Sequence, residues 1–290
     1  MKYHFALIIS LFIMSCATKK QTIKTENNTS EKTTKETSKA DLTAITEVPE
    51  SKNETLVDTE VDLIPLPPKP PKQLSNFKEV IHNRWNTILQ KHVSESGNVD
   101  YKAIKNESEF DVYIDYLSET VPDDTWTKDE KLAYWINAYN ALTVDLILRH
   151  YPVKSIKDIK DPWDQRLWQF GDTWQNLNDI EHKILRKMDE PRIHFAIVCA
   201  SISCPKLQNE AFTASNLETQ LTTATKEFLN DSTKNELTED HIKLSKIFKW
   251  FKKDFEQDGD LINLLNQYAD VNISSSAKKS FKDYNWNLND

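Results

Sequence analysis

Glycine is nearly absent: Gly97, Gly171 and Gly259 are the only three in 290 residues. Three isolated glycines cannot form a glycine-rich phosphate loop or a dinucleotide fingerprint, so no nucleotide cofactor is expected. Cysteine is as scarce, at Cys16, Cys199 and Cys204. Neither a C-x-x-C nor an H-E-x-x-H spacing occurs, so no metal site is expected. Positive charge is in deficit, with 37 Lys and Arg against 45 Asp and Glu and a net charge of -8. That balance argues against a nucleic-acid partner. After residue 15 no apolar run is long enough to span a bilayer.

The N-terminus reads as an address. Lys2 supplies a positive start, Phe5–Met14 an apolar run, and Ile13-Met14-Ser15-Cys16 closes it, the pattern of a secretory signal over residues 1–15. The closing tetrapeptide resembles a bacterial lipobox, which implies lipid on Cys16, anchorage to a membrane and residence in the bacterial cell envelope. Residues 16–72 then carry Thr, Lys, Glu, Ser and Asn without apolar period and end in LIPLPPKPPK. This composition predicts a disordered tether with a stiff polyproline end.

Residues 73–290 suit a single domain. The expected class is α+β, mostly helical around a small sheet. Phe77, Ile81, Trp85, Ile88 and Leu89 mark a first amphipathic helix. A second is expected over about 107–120. Thr127 and Glu130 form a capping box for a third, which runs to His150 before Pro152. Residues 168–174 and 237–244 read as hairpins. Asn178 is expected to cap a helix bearing Ile180, Ile184 and Leu185. Ser215 and Glu218 read as a capping box for a helix to Leu229, and two short helices follow. Ile193–Cys199 reads as a buried strand.

Four segments carry a family resemblance: KLAYWINAYNAL (131–142), NDIEHKILR (178–186), HFAIVCASISCPKL (194–207) and the closing YNWNLN (284–289). Together they resemble the domain-of-unknown-function 547 family over about residues 77–290. The resemblance implies a bacterial envelope lipoprotein and no settled activity, and it favours Cys199 over Cys204 as the reactive thiol. A distant likeness to papain-like or transglutaminase-like thiol enzymes is an analogy of fold only.

Candidate chemistry centres on Arg192–Leu207. A strand there would put Cys199 near its C-terminal end and would point His194 to the opposite face. Cys204, before Pro205, could head a helical turn that favours its thiolate. A thiol enzyme needs a base and an orienting group. His182 is the first choice of base. Glu181, three residues after Asn178, fits a capping box as well as a catalytic role. Asn137 and Asn140 lie on one face of the third helix. They could orient an imidazole, donate to an oxyanion or tie the helix to a loop. Zinc on His182, His194, Cys199 and Cys204 has the right atoms but no established spacing. Ser201 and Ser203 lack a G-x-S-x-G elbow.

Two function classes follow. One is an envelope thiol hydrolase or acyltransferase acting on peptide-like amides, with Cys199 attacking and His182 taking the proton. The other is a non-catalytic scaffold stapled by a Cys199–Cys204 disulfide, with an aromatic groove for a peptide or envelope-protein partner.

Overall fold

Helix after helix follows the apolar spacing of the chain. The computed structural model describes residues 77–290, Asp258 excepted, all within one compact unit, Pro65–Asp290. The expected secretory signal, the expected lipidation at Cys16 and the expected tether over residues 16–72 lie outside the described residues. Helices α1 (Phe77–Val80) and α2 (Asn83–His92) come first, and Trp85, Ile88 and Leu89 of α2 are buried. Gly97 then turns the chain at φ +83°. A Cβ there would sit 2.4 Å from the Cβ of Lys206, so the close approach of the two loops requires glycine. Helix α3 (Tyr101–Ile104) is capped by Asp100, and α4 (Ser108–Glu119) follows it.

Helix α5 (Lys128–His150) is the axis of the domain. Thr127 and Glu130 form the expected capping box. Every residue from Leu132 to Leu148 is buried. A helix that is apolar nearly all round packs on all sides, and its polar residues must find partners inside. They do. Asn137 both donates to and accepts from the Phe212 backbone, at 2.8 and 2.9 Å. Asn140 donates to Ala196 O and accepts from Val198 N, each at 2.9 Å. Asp145 accepts from Trp168 Nε1 at 2.6 Å and pairs with Arg149.

Strands β1 (Trp168–Phe170) and β2 (Thr173–Gln175) make the first expected hairpin. Helix α6 (Leu177–Asp179) runs into a π-helical turn, Ile180–Ile184, and a 3₁₀ turn, Leu185–Lys187. The cap is Asn176, which accepts from Asp179 N at 2.6 Å, and not Asn178. Glu181 therefore has no capping-box role.

The expected strand over 193–199 is a one-turn helix, α7 (Ile193–Ala196), left through an extended Ile197 into irregular chain at 198–199. A short buried apolar run looks the same in either form. Pro191 and Arg192 accept from His194 N and Phe195 N, which starts a turn. The Asn140 amide then takes the Ala196 carbonyl and the Val198 N–H that a neighbouring strand would have taken.

Helix α8 (Leu217–Asn230) starts one residue after its N-cap Asn216, next to the expected Ser215. Glu218 pairs with Arg192 at 2.7 Å. Strands β3 (Glu236–Leu237) and β4 (His241–Leu244) make the second hairpin. Helices α9 (Ile247–Trp250), α10 (Lys252–Phe255) and α11 (Leu261–Asn266) follow. Strand β5 (Lys278–Phe281) then adds to β4 in parallel, completing a three-stranded sheet ordered β3-β4-β5.

Two apolar clusters result. The larger surrounds α5 and includes Trp85, which stacks on Tyr113 with centroids 5.8 Å apart. The smaller joins Phe195, Phe228, Phe248 and Phe255 to α11 and β4. Among the described residues no helix is long and apolar enough to cross a membrane.

Candidate active site

A cavity of about 350 Å³ opens at the seam between the two clusters. Its walls come from six places in the chain: Tyr139 of α5, Trp163 and Asp164, the Glu181–His182 turn, the 197–205 segment, Trp250 and Phe251, and Tyr284 and Trp286. Such a pocket, mostly apolar with a few convergent polar groups, is the usual form of a small-ligand site.

The thiols sit on its floor. Residues 199–204 form a tight turn in which Ala200 adopts φ +54°, a left-handed conformation rare for alanine. The last residues of the chain hold the turn in place. Ile202 N donates to Asn287 O, Ser203 N to Asn285 O, and Asn285 N to Ser203 Oγ. Asn289 anchors the tail further along, accepting from Tyr101 Oη at 2.8 Å and donating to Gly97 O at 3.0 Å.

The tail also brings Tyr284 to Cys199. Cys199 Sγ has Cys204 Sγ at 2.8 Å, Ser201 Oγ at 3.2 Å and Tyr284 Oη at 3.2 Å. Both cysteines are free thiols. Burial pushes the Cys199 thiol up, but hydrogen bonds from Cys204, Ser201 and Tyr284 outweigh it and hold the thiol below its ordinary range. Burial and the neighbouring Cys199 push Cys204 well up. Burial and the thiols do the same to Tyr284. Cys204 and Tyr284 therefore keep their protons and donate, and Cys199 is the member that ionises. Both thiols line the cavity, but Cys199 is half-buried whereas Cys204 is 5 % exposed.

His182 lines the same cavity, yet among the described residues no hydrogen bond joins it to Cys199. Its Nδ1 lies 2.6 Å from Arg186 Nη1. Guanidinium only donates, so Nδ1 supplies the lone pair and Nε2 carries the proton of the neutral ring. Burial and the charge of Arg186 both push the His182 imidazole down. In this arrangement His182 is a hydrogen-bond donor and not the expected base. Arg186 is held by Asp254 through two contacts, one of 2.7 Å to Oδ1, and stands over the Phe251 ring. Asp254 Oδ2 is also 2.8 Å from His194 Nε2. His194 thus borders the cavity, as Cys199 does, with its ring stacked 3.9 Å from Phe251 and its Nε2 engaged by Asp254.

Glu181 is buried and accepts from Tyr139 Oη at 3.1 Å. Burial raises its carboxyl to about 7, against opposing pulls from Tyr139 and Arg186. It is the group on the cavity wall suited to exchange a proton near neutrality. Asn137 and Asn140 spend their amides on backbone, as described above, and neither lines the cavity. Asn140 acts one step away, by fixing Val198 beside Cys199.

Sequence reading missed Tyr284, Arg186 and Asp254. Only the closing YNWNLN motif pointed to the first of them. Among the described residues no group of three or more His, Cys, Asp or Glu is placed to hold a metal ion.

The fold and site define an α+β domain with a paired-thiol cavity. Residues 124–229 match the family described as "Protein of unknown function, DUF547". The matched segment contains α5, the Glu181–His182 turn and both thiols, which supports the resemblance drawn from those motifs. Tyr284 and Trp286 lie beyond it. No curated protein and no solved structure matches the chain significantly.

Proposed function

We propose that this chain is a lipid-anchored protein of the bacterial envelope whose Cys199 is the nucleophile of a hydrolase or acyltransferase acting on peptide-like amides. One observation carries the reading: the Cys199 thiol lines an aromatic cavity and accepts from three donors that favour its thiolate. The lipobox-like Ile13–Cys16 supports the anchorage.

The steps use groups on the cavity wall. The thiolate adds to the carbonyl carbon, and the oxygen takes up negative charge. His182 Nε2–H donates to that oxyanion. Glu181, protonated up to about pH 7, gives its proton to the departing amine as the C–N bond breaks. Its carboxylate then takes a proton from water, or from an acceptor amine, which attacks the thioester and releases Cys199. The likeness to papain-like and transglutaminase-like enzymes is part of this reading as fold analogy and adds no weight to it.

An activated ester tests the reading. With a p-nitrophenyl ester of an apolar acyl group, a burst of about one p-nitrophenol per chain is expected. The acyl mass should appear on the peptide that contains Cys199. Cys199→Ser abolishes the burst. His182→Ala slows it by about 10²–10³-fold, the usual cost of one oxyanion donor. A burst that persists in Cys199→Ser, or acyl mass on another residue, would overturn the assignment.

The scaffold reading has one observation in its favour: the two sulfurs already face each other across a short turn. As a permanent staple, however, the pair would leave the half-buried Cys199 without a nucleophile's role.

A further inference from the structure

We propose that Cys199 and Cys204 form an exchanging dithiol, which reduces a disulfide-bearing ligand in the aromatic cavity and becomes a disulfide itself. This activity shares Cys199 with the acyl-transfer reading but does not depend on it. An acyl transferase needs one thiol, and a second one 2.8 Å from the first is superfluous to it.

The arrangement is ordered. Both thiols line the cavity, but half-buried Cys199 is the more open to a ligand, whereas Cys204 is only 5 % exposed. Cys199 N–H donates to Cys204 Sγ at 2.9 Å, which aims the inner sulfur at the outer residue. Cys204 N donates to Ser201 O at 3.0 Å, and Ala200 in its left-handed conformation folds the turn back on itself. Lys234 Nζ donates to Ile202 O of the same turn and places a cation near both sulfurs.

The reaction balances in two steps. The Cys199 thiolate attacks one sulfur of R–S–S–R. A Cys199–S–S–R bond forms, the ligand's S–S bond breaks, and R–S⁻ leaves. Cys204 then loses its proton to the departing thiolate and attacks Cys199 Sγ. The Cys199–Cys204 bond forms and the second R–S⁻ leaves. Two electrons pass from the dithiol to the ligand.

The order of events has a physical cause. The Cys199 charge and hydrogen bond help to hold the Cys204 proton in place. Once Cys199 is in a mixed disulfide, its charge is gone and that hold is released. Lys234 remains to favour the new thiolate.

The probe is 2,2′-dipyridyl disulfide, neutral and aromatic like the cavity walls. Trypsin should release a peptide of residues 193–206 that contains both thiols. Wild-type protein is expected to liberate two thiopyridones from this site. Its 193–206 peptide should be two hydrogens lighter and carry no adduct. Cys204→Ser should liberate one and keep a thiopyridyl group on Cys199. A lasting thiopyridyl adduct in the wild type would overturn the proposal while leaving a reactive Cys199 for acyl transfer. No reaction at Cys199 with either this disulfide or the ester would overturn both readings.

Discussion

His82 shows what one buried side chain can impose on the domain. It is 2 % exposed, and its Nδ1 lies 2.7 Å from Tyr113 Oη. Burial raises the Tyr113 hydroxyl well above its usual range, so Tyr113 donates and His82 Nδ1 accepts. Nε2 then carries the proton, buried without a hydrogen-bond partner and 5.9 Å, centroid to centroid, from the Tyr134 ring. Burial lowers the imidazole from 6.5 to about 3. Above pH 6.5 the ring is neutral in the folded and unfolded chains alike, and the fold loses nothing. Between pH 6.5 and about 3 only the unfolded chain takes the proton. Stability should therefore fall by up to about 1.4 kcal/mol per pH unit in that window. His82→Gln keeps an acceptor for Tyr113 and removes the titration. Urea unfolding at several pH values should show a shallower acid slope for the variant, and equal slopes would contradict this assignment. The same scale governs the site. Cys199, Glu181 and His182 could be picked out from the sequence because thiol, carboxylate and imidazole are few or pointedly placed. Arg186 could not, since nothing in a sequence shows that a guanidinium four residues on will occupy Nδ1 and turn a candidate base into a donor.

At the scale of elements, the chain is most legible where periodicity is long. The capping box and apolar spacing of α5 gave its bounds, and both hairpins lie where their turn residues put them. The 193–199 segment misleads because its hydrogen bonds are not made with a strand. Asn140 of α5 supplies one donor and one acceptor to Ala196 and Val198, and so holds extended chain against a helix. That contact is distant in sequence and is written in no local pattern. It also explains why Asn137 and Asn140 stand on a buried helix: they tie it to loops. Asn140→Ala should leave the Ala196 carbonyl and the Val198 N–H buried and unpaired. The expected cost is about 2–6 kcal/mol, at about 1–3 kcal/mol for each of the two groups left unsatisfied. Chemical denaturation measures it. A cost near zero would mean that water or a shifted backbone replaces the amide. Part of any loss of Cys199 reactivity in this variant should be restored by Asn140→Gln only if the longer amide still reaches both groups.

The whole molecule is needed to make the cavity. Tyr139, the Glu181–His182 turn, the thiol turn, Phe251 and Tyr284 come together only when the two apolar clusters dock and the C-terminal tail lies against residues 200–203. Trp250, Tyr284 and Trp286 then form one aromatic wall, with centroids 4.5–5.8 Å apart. Its outer ring, Trp250, is 45 % exposed. The α+β class and mainly helical content could be read in advance, but the closure of the site by its last residues could not. The central claim is that this assembly makes Cys199 a favoured thiolate, and the pH dependence of its alkylation by iodoacetamide tests it most directly. In the folded protein the rate at Cys199, read by peptide mass, should reach half-maximum below the value of about 8.5 shown by an ordinary thiol. Tyr284→Phe should move that midpoint upward. A midpoint no lower than that of the urea-unfolded chain, or no labelling until a reductant is added, would contradict the claim.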